Sequence, residues 1–392
     1  MLKNKNILLG VTGSIAAYKT VELARRLTGE GAHVSVVMTE SACRFVSPLT
    51  VETVLGKPAY INLFEGYISH INLVKDCHLL IIAPATANTI SKFACGISDN
   101  LLTTLWLAYE GPSLIAPAMN SVMYRNPVIN KNIKELASMG VQFIGPEAGP
   151  LACGEEGTGR MAEVTDIIEA AKSLLSPKDL YGHKILITAG PTREPIDPVR
   201  FLSNRSSGKM GFAVAAAAVR RGADVTLISG PSGQKPPKGA SFVPVEKAVD
   251  MERAVLKAFN KSTSLIMAAA VSDFAPAATG KSKIPKNNIM SMELKKTSDI
   301  LVKVGKSKGK RLLIGFAAET GRNIGNAMKK LKDKNLDLIV FNDISQEGAG
   351  FETDTNIVTL IDRKGKTTDY PLMKKEEIAD IILNKLLELK SS

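Results

Sequence analysis

Residues 6–14 read Asn-Ile-Leu-Leu-Gly-Val-Thr-Gly-Ser, and residues 184–191 read Lys-Ile-Leu-Ile-Thr-Ala-Gly-Pro. Each stretch is a short apolar run that ends in a glycine turn, which is typical of a buried strand in a parallel sheet. We therefore predict strands at Ile7–Val11 and Lys184–Thr188. After the first turn, Ser14 opens an amphipathic stretch that continues through Leu27. A strand, a tight turn and a helix are thus predicted at the start of each half of the chain.

Apolar runs and helical patterns alternate through both halves, which indicates parallel sheets covered by helices on both faces. The other predicted strands are His33–Met38, Leu79–Ala83, Leu114–Ala116, Asp224–Ser229, Leu265–Ala269, Leu312–Phe316 and Leu336–Phe341. A Pro/Gly-rich segment at 145–159 breaks the pattern, and Ser176-Pro177 follows one further predicted helix at Thr165–Leu175. The predicted fold class is α/β, with two consecutive doubly wound (Rossmann-like) domains at 1–182 and 183–392.

The composition is that of an ordinary globular protein. The chain has 392 residues, of which 45% are hydrophobic and 22% are charged. No apolar run reaches the roughly 18 residues that a membrane-spanning helix needs. Four cysteines without a C-x-x-C pair are too few for a disulfide framework, so we expect a reducing cytoplasm. The N-terminal apolar stretch resembles a signal peptide, but its glycines favour a strand and turn.

The positive charge is confined to the second half of the chain. Residues 1–182 hold 15 basic and 16 acidic residues, whereas residues 183–392 hold 35 and 22, a net charge of +13. Either a nucleic-acid surface or a site for a small polyanion such as a nucleoside triphosphate would explain this charge. Aromatic residues are few and the lysines are dispersed, which favours the small polyanion. The dense basic run at Lys303–Arg311 is interpreted as a solvated loop.

Polar residues follow the predicted strands of the first half, where ligands of doubly wound sheets bind. Gly13-Ser14, the stretch 84–89 and the stretch 117–120 occupy such positions, although asparagines there also suit plain turns. Cys153 stands among glycines, which favours a proton donor or nucleophile on a mobile loop over a structural thiol. The G-x-G-x-x-A spacing at Gly157, Gly159 and Ala162 follows no predicted strand and is interpreted as chance.

Residues 117–124 read Pro-Ala-Met-Asn-Ser-Val-Met-Tyr. With the Gly13-Ser14 turn and the Cys153 loop, this stretch resembles the flavin-containing cysteine decarboxylases, whose signature P-x-M-N-x-x-M-W is matched except at Tyr124. The resemblance implies a flavodoxin-like flavoprotein domain, FMN as cofactor and a site shared between subunits of a trimer. It implies that His70 acts on the substrate, that Asn120 holds the substrate carboxylate and that Cys153 donates the final proton. The residues it suggests for FMN binding are Ser14, Thr39, Thr86, Ala87, Asn88 and Met119. The other histidines, at predicted strand entrances, are interpreted as structural: His33, His78 and His183.

The chemistry implied by this resemblance needs an electron sink. Direct loss of carbon dioxide from a cysteine-derived carboxylate would leave an unstabilised carbanion. Oxidation of the CH₂–SH carbon gives a thioaldehyde β to the carboxylate, decarboxylation then gives an enethiolate, and the returned electrons and a proton give the saturated thiol. The cofactor carries the redox step, while the protein positions and protonates the substrate.

In the second half, a polar Pro-rich loop follows the strand that starts at Lys184, and Ser206-Ser207-Gly208 lies at the N-terminus of a helix predicted at Ser207–Arg221. Free N–H groups at such a helix start suit a phosphate. The Gly208-Lys209 pair does not complete a P-loop pattern. Further candidates are Asp273 after a strand, Lys283 in an open loop, and Lys330 with Lys334, one helical turn apart, for which a solvated helix face is the alternative.

Residues 188–200 and 201–211, together with nearly all of the second half, are similar to the bacterial phosphopantothenate–cysteine ligases. This resemblance implies that Arg200 and Asn204 serve an acyl-cytidylate and its attack by cysteine, with Ala270 lining the site. It places CTP against Asp273, Lys283, Phe316, Lys330 and Lys334. Lysines and Mg²⁺ would stabilise the charge that develops on the phosphoryl oxygens, with the metal held mainly by phosphates and water. Dimeric contacts are implied for this half.

We therefore expect a bifunctional enzyme of coenzyme A biosynthesis. The ligase half would join cysteine to 4′-phosphopantothenate, and the decarboxylase half would convert the product to 4′-phosphopantetheine. The expected partners are these small molecules and further copies of the chain, with neither nucleic acid nor membrane. The alternatives are a flavin-fold regulatory subunit and a basic half that binds nucleic acid.

Overall fold

A computed structural model describes residues 1–63, 69–150, 154, 156–284, 291–321, 323–346, 348, 350 and 352–391. The chain divides into two compact units, Met1–Ser176 and Pro177–Ser392. The segment 177–182, between the break predicted at Ser176-Pro177 and the boundary predicted after residue 182, packs within the second unit. Leu180 is fully buried in the core of that unit, and the Asp179 carboxylate accepts two hydrogen bonds from Arg221, at 2.9 and 2.7 Å.

The first unit contains a five-stranded parallel sheet in the order β2-β1-β3-β4-β5. Its strands are β1 (Asn6–Val11), β2 (His33–Met38), β3 (Leu79–Ala85), β4 (Ser113–Pro117) and β5 (Gln142–Phe143). This order is that of flavodoxin-like sheets, in which the direction of winding reverses between β1 and β3. The predicted flavodoxin-like domain is confirmed.

Helices cover both faces of this sheet, because alternate residues of each strand face opposite sides. A 3₁₀ turn (Ile15–Ala17) leads into α1. The helices are α1 (Tyr18–Gly29), α2 (Glu40–Cys43), α3 (Pro48–Leu55), α4 (Ser69–Lys75), α5 (Ala87–Cys95), α6 (Leu101–Ala108), α7 (Ser121–Arg125), α8 (Pro127–Ser138) and α9 (Val164–Leu175). Leu9 packs in a core with α1 and α9, whereas Leu8 packs in a second core with α5 and α6.

The Pro/Gly-rich segment after β5 forms a hairpin of β6 (Glu147–Pro150) and β7 (Glu156–Arg160). Gly157 and Gly159 lie inside β7, so the G-x-G-x-x-A spacing does not form a dinucleotide-binding turn. The peptide bonds Ala83-Pro84 and Gly145-Pro146 are cis.

The second unit contains an eight-stranded sheet in the order β12-β11-β8-β13-β16-β17-β18-β19. The strands of this unit, with two small hairpins, are β8 (Lys184–Ala189), β9 (Arg193–Pro195), β10 (Phe201–Ser203), β11 (Asp224–Ser229), β12 (Ser241–Pro244), β13 (Ser264–Met267), β14 (Phe274–Pro276), β15 (Leu294–Lys296), β16 (Leu312–Glu319), β17 (Leu338–Asp343), β18 (Thr355–Asp362) and β19 (Thr367–Lys374). The six parallel strands have the Rossmann order, with a reversal between β8 and β13. The predicted doubly wound domain is confirmed, while the antiparallel β18 and β19 were not predicted.

Two helical layers enclose this sheet. The helices are α10 (Lys209–Arg220), α11 (Ala248–Phe259), α12 (Ile300–Lys306), α13 (Ile324–Asp333) and α14 (Lys375–Ser391). α10 and α14 pack on one face, and α11, α12 and α13 pack on the other. Within the described ranges, no helix is long and apolar enough to span a bilayer.

The interpretation of Lys303–Arg311 as a solvated loop was wrong. The first part of this run belongs to α12, and Lys308 is buried and lies 2.5 Å from the Asp337 carboxylate. A charge pattern alone does not show that a carboxylate on a distant strand neutralises one of the lysines.

Candidate active sites

The first candidate site lies at the carboxyl ends of β1 to β4. Ser14, Thr39, Thr86 and Met119 follow these four strands in turn, and the strands are adjacent and parallel. Ala87 and Asn88 form the first residues of α5, where Ala87 is buried and Asn88 is exposed. The structure therefore brings all six predicted FMN residues to one edge of the sheet, around the reversal between β1 and β3.

Side-chain caps arrange the backbone N–H groups at this edge. Ser14 Oγ accepts from Ala16 N at 3.3 Å, and Thr39 Oγ1 accepts from Ala42 N at 3.2 Å. Thr86 Oγ1 accepts from Thr89 N at 3.4 Å. Each cap fixes the start of a helical turn, and the uncapped N–H groups of such turns attract phosphate.

Thr12, which the sequence analysis did not select, connects the loops on either side of the reversal. This residue is 1% exposed, and its hydroxyl donates to Pro84 O at 2.8 Å and accepts from Thr86 N at 3.0 Å. The position of Thr86 therefore depends on a residue of the β1 loop. The only sequence signal for this role is the polar residue between the strand and Gly13.

The β6–β7 hairpin packs on the loop that follows β4. Met119 N donates to Gly159 O at 3.0 Å, and a Cβ on Gly159 would clash with Met119 O. Asn120 begins α7, where its Oδ1 accepts from Val122 N at 2.8 Å. Glycine at 159 is therefore needed for the close approach that places Met119 and Asn120.

Two predicted catalytic residues of this unit are not fully described. His70 is the second residue of α4, but its side chain is outside the described part of the structure. Cys153 lies outside the described residues, between β6 and β7. His33 begins β2, while His78 and His183 immediately precede β3 and β8, as the sequence predicts for structural histidines.

The second candidate site is a cavity of about 330 Å³ at the carboxyl ends of the parallel strands in the second unit. Its walls include the residues after β13, the end of β16 and the first turn of α10, next to the reversal between β8 and β13. It brings together six predicted residues: Asn204, Ala270, Asp273, Phe316, Lys330 and Lys334. The two lysines therefore face a cavity, which disfavours the alternative of a solvated helix face.

Ionic contacts hold both of these lysines at the cavity. Lys330 Nζ lies 2.9 Å from the Glu319 carboxylate, and Lys334 Nζ lies 2.7 Å from Asp299. Asp299 also caps α12 by accepting from Val302 N at 3.1 Å. Elsewhere in the wall, Asn204 Nδ2 donates to Ala270 O at 3.0 Å. The lining of the cavity thus includes two lysines and an amide whose positions are fixed by hydrogen bonds or ion pairs.

Arg200 and Lys283 are not among the residues that line this cavity. The buried Asp197 carboxylate connects their segments by accepting from Val199 N (2.7 Å), Arg200 N (2.8 Å) and Ile284 N (3.2 Å). Burial opposes the charge of Asp197, but these backbone hydrogen bonds hold its pKa below the usual value. Lys283 itself is exposed.

Two further lysines of the cavity wall were not predicted. Lys209, the first residue of α10, donates to Asp354 Oδ1 at 2.6 Å and to Glu352 O at 2.7 Å. Lys375 is 6% exposed, and burial together with the charge of Lys209 lowers its pKa to about 8. The Gly208-Lys209 pair could have identified Lys209 as a candidate for this cavity. Lys375 lies some 160 residues further along the chain, and no sequence pattern links it to the site.

The family models match both units. The model described as "Flavoprotein" matches residues 1–176, and the model described as "DNA/pantothenate metabolism flavoprotein C-terminal domain" matches residues 180–389. The coenzyme A biosynthesis bifunctional protein CoaBC of Bacillus subtilis is 48% identical over 99% of this chain and 98% of its own length. The chain belongs to the CoaBC family. The protein of that name from Escherichia coli K12 is 43% identical over 98% of this chain and 97% of its own length.

Membership of the CoaBC family confirms the expected bifunctional enzyme of coenzyme A biosynthesis, with a flavoprotein decarboxylase half and a ligase half. It favours the enzyme over the alternatives of a regulatory subunit and a nucleic-acid-binding half. Among solved structures, the C-terminal domain of a CoaBC protein is 43% identical, with a TM-score of 0.48 over 54% of this chain and 98% of that one. A PPC decarboxylase mutant is 32% identical, with a TM-score of 0.40 over 43% of this chain and 97% of that one.

Proposed function

We propose that residues 183–392 join cysteine to 4′-phosphopantothenate with CTP, and that residues 1–182 convert the product, 4′-phosphopantothenoyl-cysteine, to 4′-phosphopantetheine with FMN. The observation that supports this assignment best is the placement of the predicted residues. In each unit, polar and charged side chains meet at the carboxyl edge of a doubly wound sheet, beside its reversal.

The residues of the first unit fit FMN. Ser14, Thr39 and Thr86 cap helical turns at the carboxyl edge of the sheet, where uncapped N–H groups suit a phosphate, and Ala87, Asn88 and Met119 lie at the same edge. Bound FMN would supply the two-electron redox chemistry needed at the thiol-bearing carbon of the substrate. The protein's tasks are to bind the substrate, hold its carboxylate and supply a proton.

Asn120 is proposed to hold the substrate carboxylate. Its Oδ1 accepts from Val122 N, so the amide NH₂ is the end that can donate to a carboxylate. His70 is proposed to act on the thiol end of the substrate, and Cys153 to donate the final proton. In a Cys153→Ser variant, FMN binding persists and the product remains unsaturated, which mass spectrometry of the released thiol measures. Normal turnover by this variant would remove Cys153 from its role.

In the ligase unit, the anionic substrates are proposed to bind among cations. Lys330 and Lys334 face the cavity beside Phe316 and Asp273, and Lys283 extends from a neighbouring loop. The carboxylate of 4′-phosphopantothenate attacks the α-phosphorus of CTP and pyrophosphate leaves. The amine of cysteine then displaces CMP from the acyl-cytidylate. Positive side chains favour both steps because negative charge grows on the phosphoryl oxygens.

Two variants separate these steps. Lys283→Gln is expected to slow pyrophosphate release, since the ammonium would stabilise charge during activation. Asn204→Asp is expected to release pyrophosphate but to form little amide, because Asn204 and Arg200 are assigned to the acyl intermediate and its attack by cysteine beside Ala270. Unchanged pyrophosphate release by the first variant, or loss of CTP binding by the second, would contradict these roles.

Mg²⁺ is proposed to accompany CTP. Among the described residues, no group of three or more His, Cys, Asp or Glu side chains is arranged to hold a metal. A small hard cation that keeps several waters suits a site built from substrate phosphates. Pyrophosphate release should therefore require Mg²⁺ and recover on its return after EDTA treatment. Full activity in EDTA would overturn the proposal.

We also propose that the enzyme is a homo-oligomer, with trimeric contacts between decarboxylase units and dimeric contacts between ligase units. Large apolar side chains are exposed beside the first site: Ile15 (59%), Tyr18 (62%), Val122 (63%) and Met123 (48%). Apolar groups in such a position favour burial against another copy. Multi-angle light scattering of the full chain tests this, and a monomer that turns over both reactions would contradict it.

A cytoplasmic location is proposed because the described cysteines Cys43, Cys77 and Cys95 are free thiols, as a reducing compartment favours. Cell fractionation tests this location.

The decisive experiment on function uses the purified full chain, which should show an oxidised-flavin absorption band and release carbon dioxide from 4′-phosphopantothenoyl-cysteine. A colourless protein that neither takes up FMN nor releases carbon dioxide would refute the decarboxylase assignment and leave the ligase assignment to its own assay.

A further inference from the structure

A second cavity of the ligase unit, of about 380 Å³, lies where β8, β13 and β16 begin. The cavity of the proposed CTP site, called the nucleotide cavity below, lies at the opposite ends of the same parallel strands. His183 precedes β8, Ser264 opens β13 and Leu312 opens β16, and the register places Ser264 beside Leu312. Leu386 and Lys390 of α14 complete the wall. This amino-end cavity has no part in the two reactions assigned above.

The charged side chains of the amino-end cavity are all basic. Lys310, Arg311 and Lys390 line it, and within the described part of the chain none of them forms an ion pair. The Arg311 guanidinium donates to the carbonyls of Lys308 (3.3 Å) and Asn260 (3.1 Å) and lies over the Phe259 ring, 5.0 Å from its centroid, so its position is fixed without a carboxylate. Three cations without a carboxylate partner around one concave surface favour an anionic ligand.

Neutral donors and acceptors complete this surface. Lys390 Nζ lies 3.2 Å from His183 Nε2. Burial lowers the pKa of His183, the charge of Lys390 lowers it further, and Asp179 opposes the shift. Ser264 is 1% exposed, and its buried hydroxyl has no hydrogen-bond partner among the described residues. A buried hydroxyl is normally paired, so its position in the cavity wall indicates an acceptor supplied from outside.

We propose that the amino-end cavity binds a small phosphate monoester, with its oxyanion between Lys390, Arg311 and Ser264 and its apolar part against Leu312 and Leu386. All of the side chains assigned to the oxyanion are donors, which suits a group that only accepts hydrogen bonds. Leu312 and Leu386 offer an apolar contact for a short alkyl chain. The volume lies within the range of small-molecule pockets.

Calorimetric titration of the full chain with n-butyl phosphate, at constant ionic strength, tests this proposal. Lys390→Met should weaken binding about tenfold, the cost of one charge-assisted hydrogen bond, and Ser264→Ala should weaken it less. Lys385→Met, on the same helix, is the matched control because Lys385 pairs with Glu388 and does not line this cavity. Equal affinity of the wild type and Lys390→Met would overturn the proposal. Butyrate should bind more weakly than n-butyl phosphate, and the reverse order would refute the phosphate assignment.

Two further measurements locate the bound probe. Binding should persist in Lys330→Gln, since that residue lines the nucleotide cavity and not the amino-end cavity, and its loss there would place the probe in the nucleotide cavity. Histidine ring NMR, assigned with His183→Gln, should show that the probe raises the pKa of His183 while His33 and His78 stay constant. An unchanged His183 signal would contradict the proposed site. Lys390 is exposed near the chain end, so its substitution leaves the core intact.

Discussion

Replacement of Gly211 by alanine should selectively impair the ligase unit. Gly211 lies in the first turn of α10, where the helix packs on β8. An added Cβ would lie 2.6 Å from Ala189 Cβ, 2.9 Å from Thr188 O and 3.0 Å from Ala189 Cα. Carbon atoms make their best contacts at about 3.5–4.0 Å, so the helix start must move outward by roughly 1 Å. Lys209 and the neighbouring wall of the nucleotide cavity would move with it.

The expected cost follows from two opposing effects. Overpacking against rigid backbone costs about 3 kcal/mol, while alanine in place of glycine inside a helix gains about 1 kcal/mol. The net loss of about 2 kcal/mol should lower the Tm of the ligase unit by roughly 4–8 °C. Gly325→Ala in α13 is the matched control, because its added Cβ meets only Asn323 Oδ1, at 3.6 Å. That variant should be as stable as the wild type or slightly more stable.

Scanning calorimetry and the two separate assays measure the outcome. In Gly211→Ala, pyrophosphate release should fall, whereas FMN content and decarboxylation of supplied 4′-phosphopantothenoyl-cysteine should stay at the wild-type level. Wild-type ligase stability and activity in Gly211→Ala would refute the inference that this close approach sets the cavity wall. Equal damage to both activities would refute the independence of the two sites.

Three further outcomes are expected. Thr12→Val removes both hydrogen bonds that join the β1 and β3 loops, so FMN affinity should fall about tenfold in a fluorescence titration. The control is Thr53→Val, which should leave FMN affinity unchanged because the Thr53 hydroxyl donates to Leu49 O, outside the site. Lys308→Met leaves the buried Asp337 carboxylate with Arg363, at 3.4 Å, as its remaining cationic partner. It should lower stability in denaturant unfolding by about 2 kcal/mol, less than the loss of a sole partner, and no measurable loss would contradict a buried pair. The folded-state pKa of Lys375, about 8, is below the unfolded value, so the unfolded chain binds more protons between pH 8 and 10.5 and this lysine makes the ligase unit more stable as pH rises. Lys375→Met should remove that contribution in thermal melts, and equal pH slopes would count against it.

The sequence predicted the parallel strands well because they are buried on both faces and form continuous apolar runs. His33–Met38 and Asp224–Ser229 have the predicted bounds. β19 was missed because it is an edge strand whose side chains are mostly exposed, so Thr367–Lys374 has no apolar pattern. The burial of Lys308 depends on Asp337, 29 positions away, which local charge patterns do not reveal.

The candidate site residues were likewise predicted where a local sequence signal exists and missed where only tertiary contacts bring them together. Residues that directly follow predicted strands, such as Ser14, Thr86 and Asp273, could be placed from the rule that ligands bind at carboxyl edges. Thr12 was missed because its function is a hydrogen bond across two loops, and Lys375 because only tertiary packing brings α14 to the nucleotide cavity. Arg200 came from the resemblance alone, whereas Lys283 was also a candidate as an amine in an open loop. The structure places both on segments joined through Asp197, and neither lines the cavity.

The Asp197 carboxylate accepts hydrogen bonds from Arg200 N and Ile284 N and so couples the positions of those two segments. A displacement of the first segment should therefore displace the second, together with the ammonium group of Lys283. Chimeras between relatives should therefore exchange residues 195–200 and 280–284 together. A hybrid that takes one segment from each parent would combine two segments that are not matched to each other through the Asp197 hydrogen bonds.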